Sequence, residues 1–346
     1  MSSNISPYSP SIVDRLNDWI NRQRMPAWLI YVALYLVYLI IDQSFAWLEQ
    51  TTAVGQFELR RVLISIWPTL TLVILNYLDR VALAASKEFR PLRVDDEDYS
   101  EKVFRLTNMP SGSVWILTAI GPILVILSYS FDLEIVKFAD RTTISLVAEL
   151  VRNVIGLTLF LVFVFHTIRQ MTIVSQMQSD LTEIDLFNST PLYAFSILTS
   201  RTGIAWVFLL STSLTFLYLS GTAYAGVSTA LIITFITSEI MLALASFILP
   251  LVSLHAQMEK AKGRLIDEIN MYMKTSIDKM ESELKILDPG KASAKRDLVE
   301  TLKMQQSYVR ELRTWPWKSE TLRGFLSVIF LPILITVIQQ LIERLF

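Results

Sequence analysis

The chain has 346 residues, 52% of them hydrophobic and 18% charged, with a net charge of −1 and a mean hydropathy of +0.45. Near-neutral charge argues against a nucleic-acid partner. The absence of cysteine removes disulfides, thiolate metal sites and a cysteine nucleophile, and two histidines leave little room for imidazole chemistry. Several long apolar runs account for the low charge and point to an all-α, multi-pass integral membrane protein.

Residues 1–27 form an N-terminal interfacial segment without the apolar core or cleavage site of a secretory signal peptide. Within it, Ser9 to Arg24 reads as a short amphipathic helix carrying Ile12, Leu16, Trp19 and Ile20 on one stripe. Trp28 to Trp47 is the first expected crossing, with tryptophans at both ends and Asp42 near its outer end, within reach of water. Val62 to Leu78 is the second, and Pro68 should kink or interrupt it. Its helix runs on toward Phe89 and stops at Pro91. The soluble connector 79–112 contains Asp95, Asp96, Glu97 and Asp98, which do not match an EF-hand loop and suit a charged turn or the first turn of a helix.

Ser113 to Phe131 is the third expected crossing and contains Gly121-Pro122. Ile144 to His166 is the fourth, carrying Glu149, Arg152 and Asn153. It continues as an amphipathic arm with Ile168, Met171, Val174, Met177, Leu181 and Ile184 at helical spacing. Pro191 should end that arm, and 169–202 serve as arm and connector.

The fifth crossing is Ile204 to Ser220 and the sixth is Val227 to Leu254, so that 203–254 form a second membrane unit joined by a tight turn. The sixth continues through Pro250, which should kink it near the lipid boundary, into a charged, helix-favouring run ending near Leu287. Asp288-Pro289-Gly290 is a turn signal, and Ser293 to Arg313 returns with Leu298, Leu302, Gln305, Val309 and Leu312 on one face. Residues 255–318 thus read as a helical hairpin of coiled-coil character, with the arm of the fourth crossing as its third member. Trp315-Pro316-Trp317 marks a return to the membrane surface. A final membrane helix occupies 322–346, its apolar run Leu322 to Ile342 containing Pro332.

These runs give transmembrane helices 1–4 within 28–168 and about seven crossings in all. With the N-terminus inside, the cytoplasmic segments hold 25 of the 31 lysines and arginines. The positive-inside rule therefore places the N-terminus and both helical arms in the cytoplasm of a cell or inner membrane, and the C-terminus outside.

Glu149, Arg152 and Glu239 are the ionisable residues expected deepest in the membrane, where charge is costly and faces the protein interior. Arg152 and Glu239 fall at similar depths and are able to pair, as are Glu149 and Arg152 at i, i+3. The set reads either as an ion or proton pathway or as a structural ion pair. His166 and His255, at the cytoplasmic ends of two crossings, are candidates for pH or metal sensing, but belong to no metal-binding motif. No cofactor-binding or catalytic fingerprint is present. The resulting expectation is a non-enzymatic protein that relays a signal or docks a cytoplasmic partner, with the bilayer and a homo-oligomer as further partners. The alternative is an oligomeric channel or proton-coupled transporter.

Overall fold

The computed structural model describes residues 7–50, 52–92, 96–130, 143–181, 184–219, 229–284, 289–330 and 334. The architecture is all-helical among them. Helices α1 (Ile12–Arg22), α2 (Ala27–Leu48), α3 (Leu59–Phe89), α4 (Asp96–Thr107) and α5 (Ser111–Ser130) make the first half. Helices α6 (Thr143–Ser179), α7 (Ala194–Leu219), α8 (Thr229–Ile248), α9 (Val252–Leu284) and α10 (Pro289–Glu311) follow, with a last helical stretch at 319–330. Among the described residues, five segments are long and apolar enough to cross a membrane: Ala27–Leu48, Arg61–Leu92, Val147–Ser179, Pro191–Thr212 and Ile236–Glu281. Ser111–Leu127 is a shorter apolar helix.

Helix α1 starts with a capping box. Asp14 N–H donates to Ser11 Oγ, and Ser11 N–H donates to Asp14 Oδ2. Its buried face is Val13, Asp14, Asn17 and Ile20, while Ile12 and Trp19 stay exposed. The stripe expected from sequence is therefore divided, because α1 packs into the protein through its polar and mixed side. Ahead of it, Pro10 and Pro110 form an isolated antiparallel bridge, flanked by Ser11 N–H to Met109 C=O and Ser111 N–H to Ser9 C=O.

Pro68 and Pro122 lie inside α3 and α5 without ending them. Each removes one backbone donor, and the surrounding turns still hold. Pro250 behaves differently. It sits in a single 3₁₀ turn, Leu249–Leu251, that separates α8 from α9. The kink expected at Pro250 is thus a tightened turn between two helices. Helix α6, by contrast, runs unbroken for 37 residues.

The fifth apolar helix begins earlier than the sequence suggests. A 3₁₀ turn at Pro191–Tyr193 leads directly into α7 at Ala194, so 194–202 are helix rather than connector. The arm of α6 ends at Ser179, before Pro191. Asp96 to Asp98 form the first turn of α4, and Asp98 pairs with Lys102 at 2.7 Å. Asp95, the 220–226 link and the end of the last apolar run with Pro332 lie outside the described residues.

The largest core joins five elements. Ala82, Ala85 and Phe89 of α3 meet Tyr99 and Leu106 of α4, Val174 and Met177 of α6, Phe195 and Leu198 of α7, and Leu254, Met258 and Ala261 of α9. The bundle is therefore wider than a hairpin plus one arm. α9 joins it only through its first turns, and α10 then packs back along α9 with Leu302 and Val309 buried and Leu298 exposed. A second core packs α3, α6 and α7 around Leu75, Phe163 and Trp206. A third packs Phe247 of α8 against Phe325 of the last helix.

The α7–α8 contact is tight at Gly203. A Cβ there would lie 2.8 Å from the carbonyl oxygen of Ala243 and 2.5 Å from Phe325 Cε2. Gly156 of α6 has no atom within 4 Å of the same position. Gly203→Ala should lower stability by about 1–3 kcal/mol through overpacking. Gly156→Ala should raise it by up to about 1 kcal/mol through helix propensity. Thermal unfolding of both variants in detergent checks the contrast.

Candidate functional site

Three groups of polar side chains are buried among the apolar helices. The first centres on Arg152 of α6. Its Nη1 donates to both carboxylate oxygens of Asp42, at 2.9 and 3.2 Å. Arg61 of α3 approaches Asp42 Oδ1 at 3.6 Å and donates to the Asp42 carbonyl. Glu149 Oε1 is 3.9 Å from Arg152 Nη2. Asp42 is only 5% exposed, which corrects its expected contact with water. Two guanidinium groups enclose it. A buried carboxylate is tolerable in this position because it is paired from two sides.

Glu239 of α8 is the second. It is fully buried, and its Oε1 accepts from Ser211 of α7 at 2.7 Å. Its Oε2 is buried without a hydrogen-bond partner. The pair with Arg152 that similar depth allowed is not formed, since Arg152 turns to α2 instead. Among the described residues, Glu239 is thus held by a single neutral hydroxyl and no cation.

The third group joins α1, α3 and α6. His166 Nε2 lies 2.9 Å from Asp79 Oδ1, close enough for an ion pair but not aligned as a hydrogen bond. Asp14 sits beside them. Its Oδ2 accepts from Met109 N–H at 2.8 Å and from the Ser11 hydroxyl and N–H, while its Oδ1 has no hydrogen-bond partner. Tyr31 donates to Asn17 Oδ1, and Asn17 Nδ2 is likewise buried without a partner. Burial pushes the Asp14 carboxyl above the ordinary aspartate range, against the bonds from Met109 and Ser11 and the nearby His166, which hold it down.

His255 belongs to a separate arrangement at the base of the hairpin. Its Nδ1 is 3.0 Å from the Thr314 carbonyl, and its ring stacks on Trp315 at 3.9 Å. Thr314 also donates to Glu259. The two imidazoles therefore have different neighbours. Among the described residues, no three histidine or acidic side chains are placed to hold a metal ion together.

Asp42, Asp79 and Asp14 are the members that sequence reasoning missed. Asp42 and Arg152 are 110 positions apart, and no local pattern links them. The one available signal was the scarcity of charge in the apolar runs, which makes each such residue a candidate partner for the others.

Comparison with family models, with curated proteins and with solved structures finds no match to this chain. The functional reading rests on the chain's own chemistry.

Removing one member of the Arg152–Asp42 pair should be more damaging than removing both. Asp42→Ala should cost about 3–5 kcal/mol, and a double replacement of Asp42 and Arg152 by leucine should cost less. Denaturant titration in mixed micelles measures both. Asp14 supplies a pH test. A pKa raised on folding favours the folded state below the unfolded value of about 4, and that advantage is lost as pH rises through the folded pKa. Asp14→Asn keeps an acceptor oxygen and removes this titration. The wild-type Tm minus the variant Tm should be most positive near pH 4 and should fall toward pH 7, with Asp79 and His166 common to both proteins.

Proposed function

We propose that this chain is a non-enzymatic, multi-pass membrane protein whose cytoplasmic helical body relays a signal or docks a partner. In this reading it crosses the bilayer about seven times, with the N-terminus inside and the C-terminus outside. The observation that carries it is the continuity of α6. One helix passes from an apolar stretch into the five-element core that also includes the first turns of α9. A displacement of α6 would move that core, because packed interiors transmit shifts and do not absorb them. The Arg152–Asp42 pair supports the same reading, since it registers α6 against α2.

A second reading is ion or proton translocation through Glu239. It is favoured by one observation, a buried carboxylate whose only hydrogen-bond partner among the described residues is a hydroxyl. Glu149 and Arg152 would then line the path or fix its walls.

Liposome flux separates the two. Under the relay reading, the purified protein in proteoliposomes conducts no more protons or small ions than empty vesicles do, and Glu239→Gln changes nothing. Flux in the wild type that Glu239→Gln abolishes would overturn it in favour of translocation. The chain has no cysteine, so single cysteines introduced at positions 180, 280 and 54 report topology directly. Impermeant maleimide should label 180 and 280 from one face and 54 from the other.

A further inference from the structure

A cleft of about 510 Å³ opens at the foot of the hairpin, between the end of α10 and the helical stretch 319–330. Its size falls within the range of about 300–1,000 Å³ usual for small-ligand sites. Arg313, Arg323, Ser319, Trp315 and Trp317 line it, together with Glu311. The charges in it are unbalanced. Arg313 Nη1 donates to Ser319 Oγ at 2.7 Å, and among the described residues neither Arg313 nor Arg323 forms an ion pair. Glu311 shares the cleft and pairs with neither.

The aromatic wall is fixed from two sides. Trp315 stacks on His255 of α9 and on Trp317, at centroid distances of 3.9 and 4.4 Å. Trp317 in turn packs against Phe247 of α8 at 5.2 Å. The cleft is therefore built on the same two helices that the Pro250 turn connects. Two guanidinium groups, a hydroxyl and an indole pair form a set suited to a phosphate monoanion. The planar fork of arginine matches phosphate oxygens, and indoles favour the depth of lipid headgroups.

We infer that this cleft binds the phosphate group of an anionic phospholipid of the cytoplasmic leaflet. Arg313 and Arg323 grip the phosphate, Ser319 donates to it, and the tryptophans cover the glycerol and the first methylenes. The inference rests on the membrane reading above, which places the cleft at the inner surface, where anionic lipids attract basic residues. Bound lipid would then tie the hairpin base to the composition of the leaflet.

The test uses the full chain in phosphatidylcholine nanodiscs with and without phosphatidylglycerol, read by native mass spectrometry and by Tm. Wild type should retain phosphatidylglycerol selectively and gain Tm from it. Arg313→Gln and Arg323→Gln should each weaken that retention about tenfold, the loss expected for one charged hydrogen-bonding group. Arg296→Gln, on the exposed face of α10, should leave it unchanged. Equal retention in wild type and both cleft variants would overturn the assignment. So would protection by inorganic phosphate equal to that by the lipid, which would make the occupant a soluble phosphate. The membrane reading fails separately, if maleimide labels positions 54 and 280 from the same face. An inorganic phosphate titration of wild type against Arg313→Gln then still decides whether the cleft is an anion site.

Discussion

Helix α6 carries one continuous backbone past several different neighbours. It is about 55 Å long at about 1.5 Å per residue, and its side chains meet a different neighbour at nearly every level. Arg152 reaches α2 and His166 reaches α3. Gln170 donates to the Leu106 carbonyl at the end of α4, and the Gln178 carbonyl accepts from Gln257 of α9. These polar contacts act as pegs along one rod. Sliding α6 by a single turn would break all of them together. Apolar packing alone tolerates such slips far better, because one methyl-lined groove resembles the next.

The sequence disclosed what depends on local pattern. The apolar lengths of α2, α3, α5 and α8 are legible in the residues, as are the arm of α6 and the return of α10, because hydrophobic spacing and turn residues are local signals. The start of α7 was hidden. AFSILTSRTG mixes hydroxyls and an arginine among its apolar residues, and its burial depends on α3 and α6 packing over it. The partner of Arg152 was hidden for another reason. A buried aspartate and a surface aspartate have the same one-letter code, and only the fold brought Arg61 and Arg152 to either side of Asp42. His255 shows a third case. Its neighbour Trp315 is a membrane-belt residue by composition, yet it also serves as a stacking platform inside the hairpin base.

The prolines separate by their surroundings. Pro68 and Pro122 lie inside α3 and α5, and each helix carries on past a missing donor. Pro250 is itself buried, in a 3₁₀ turn next to Leu251. That turn redirects the chain between the third core and the largest one. The same residue type thus continues two helices and divides another.

The clasp around α1 has a consequence for how the chain is made. Its capping box is local, so Ser11 and Asp14 find each other as soon as both have been synthesised. Two further partners arrive much later: Met109 donates to Asp14 across 95 positions, and Arg169 meets the Tyr8 hydroxyl across 161. A growing polypeptide emerges from the ribosome in order. Asp14 must therefore wait for its bond from Met109, and Tyr8 must wait longer still for Arg169.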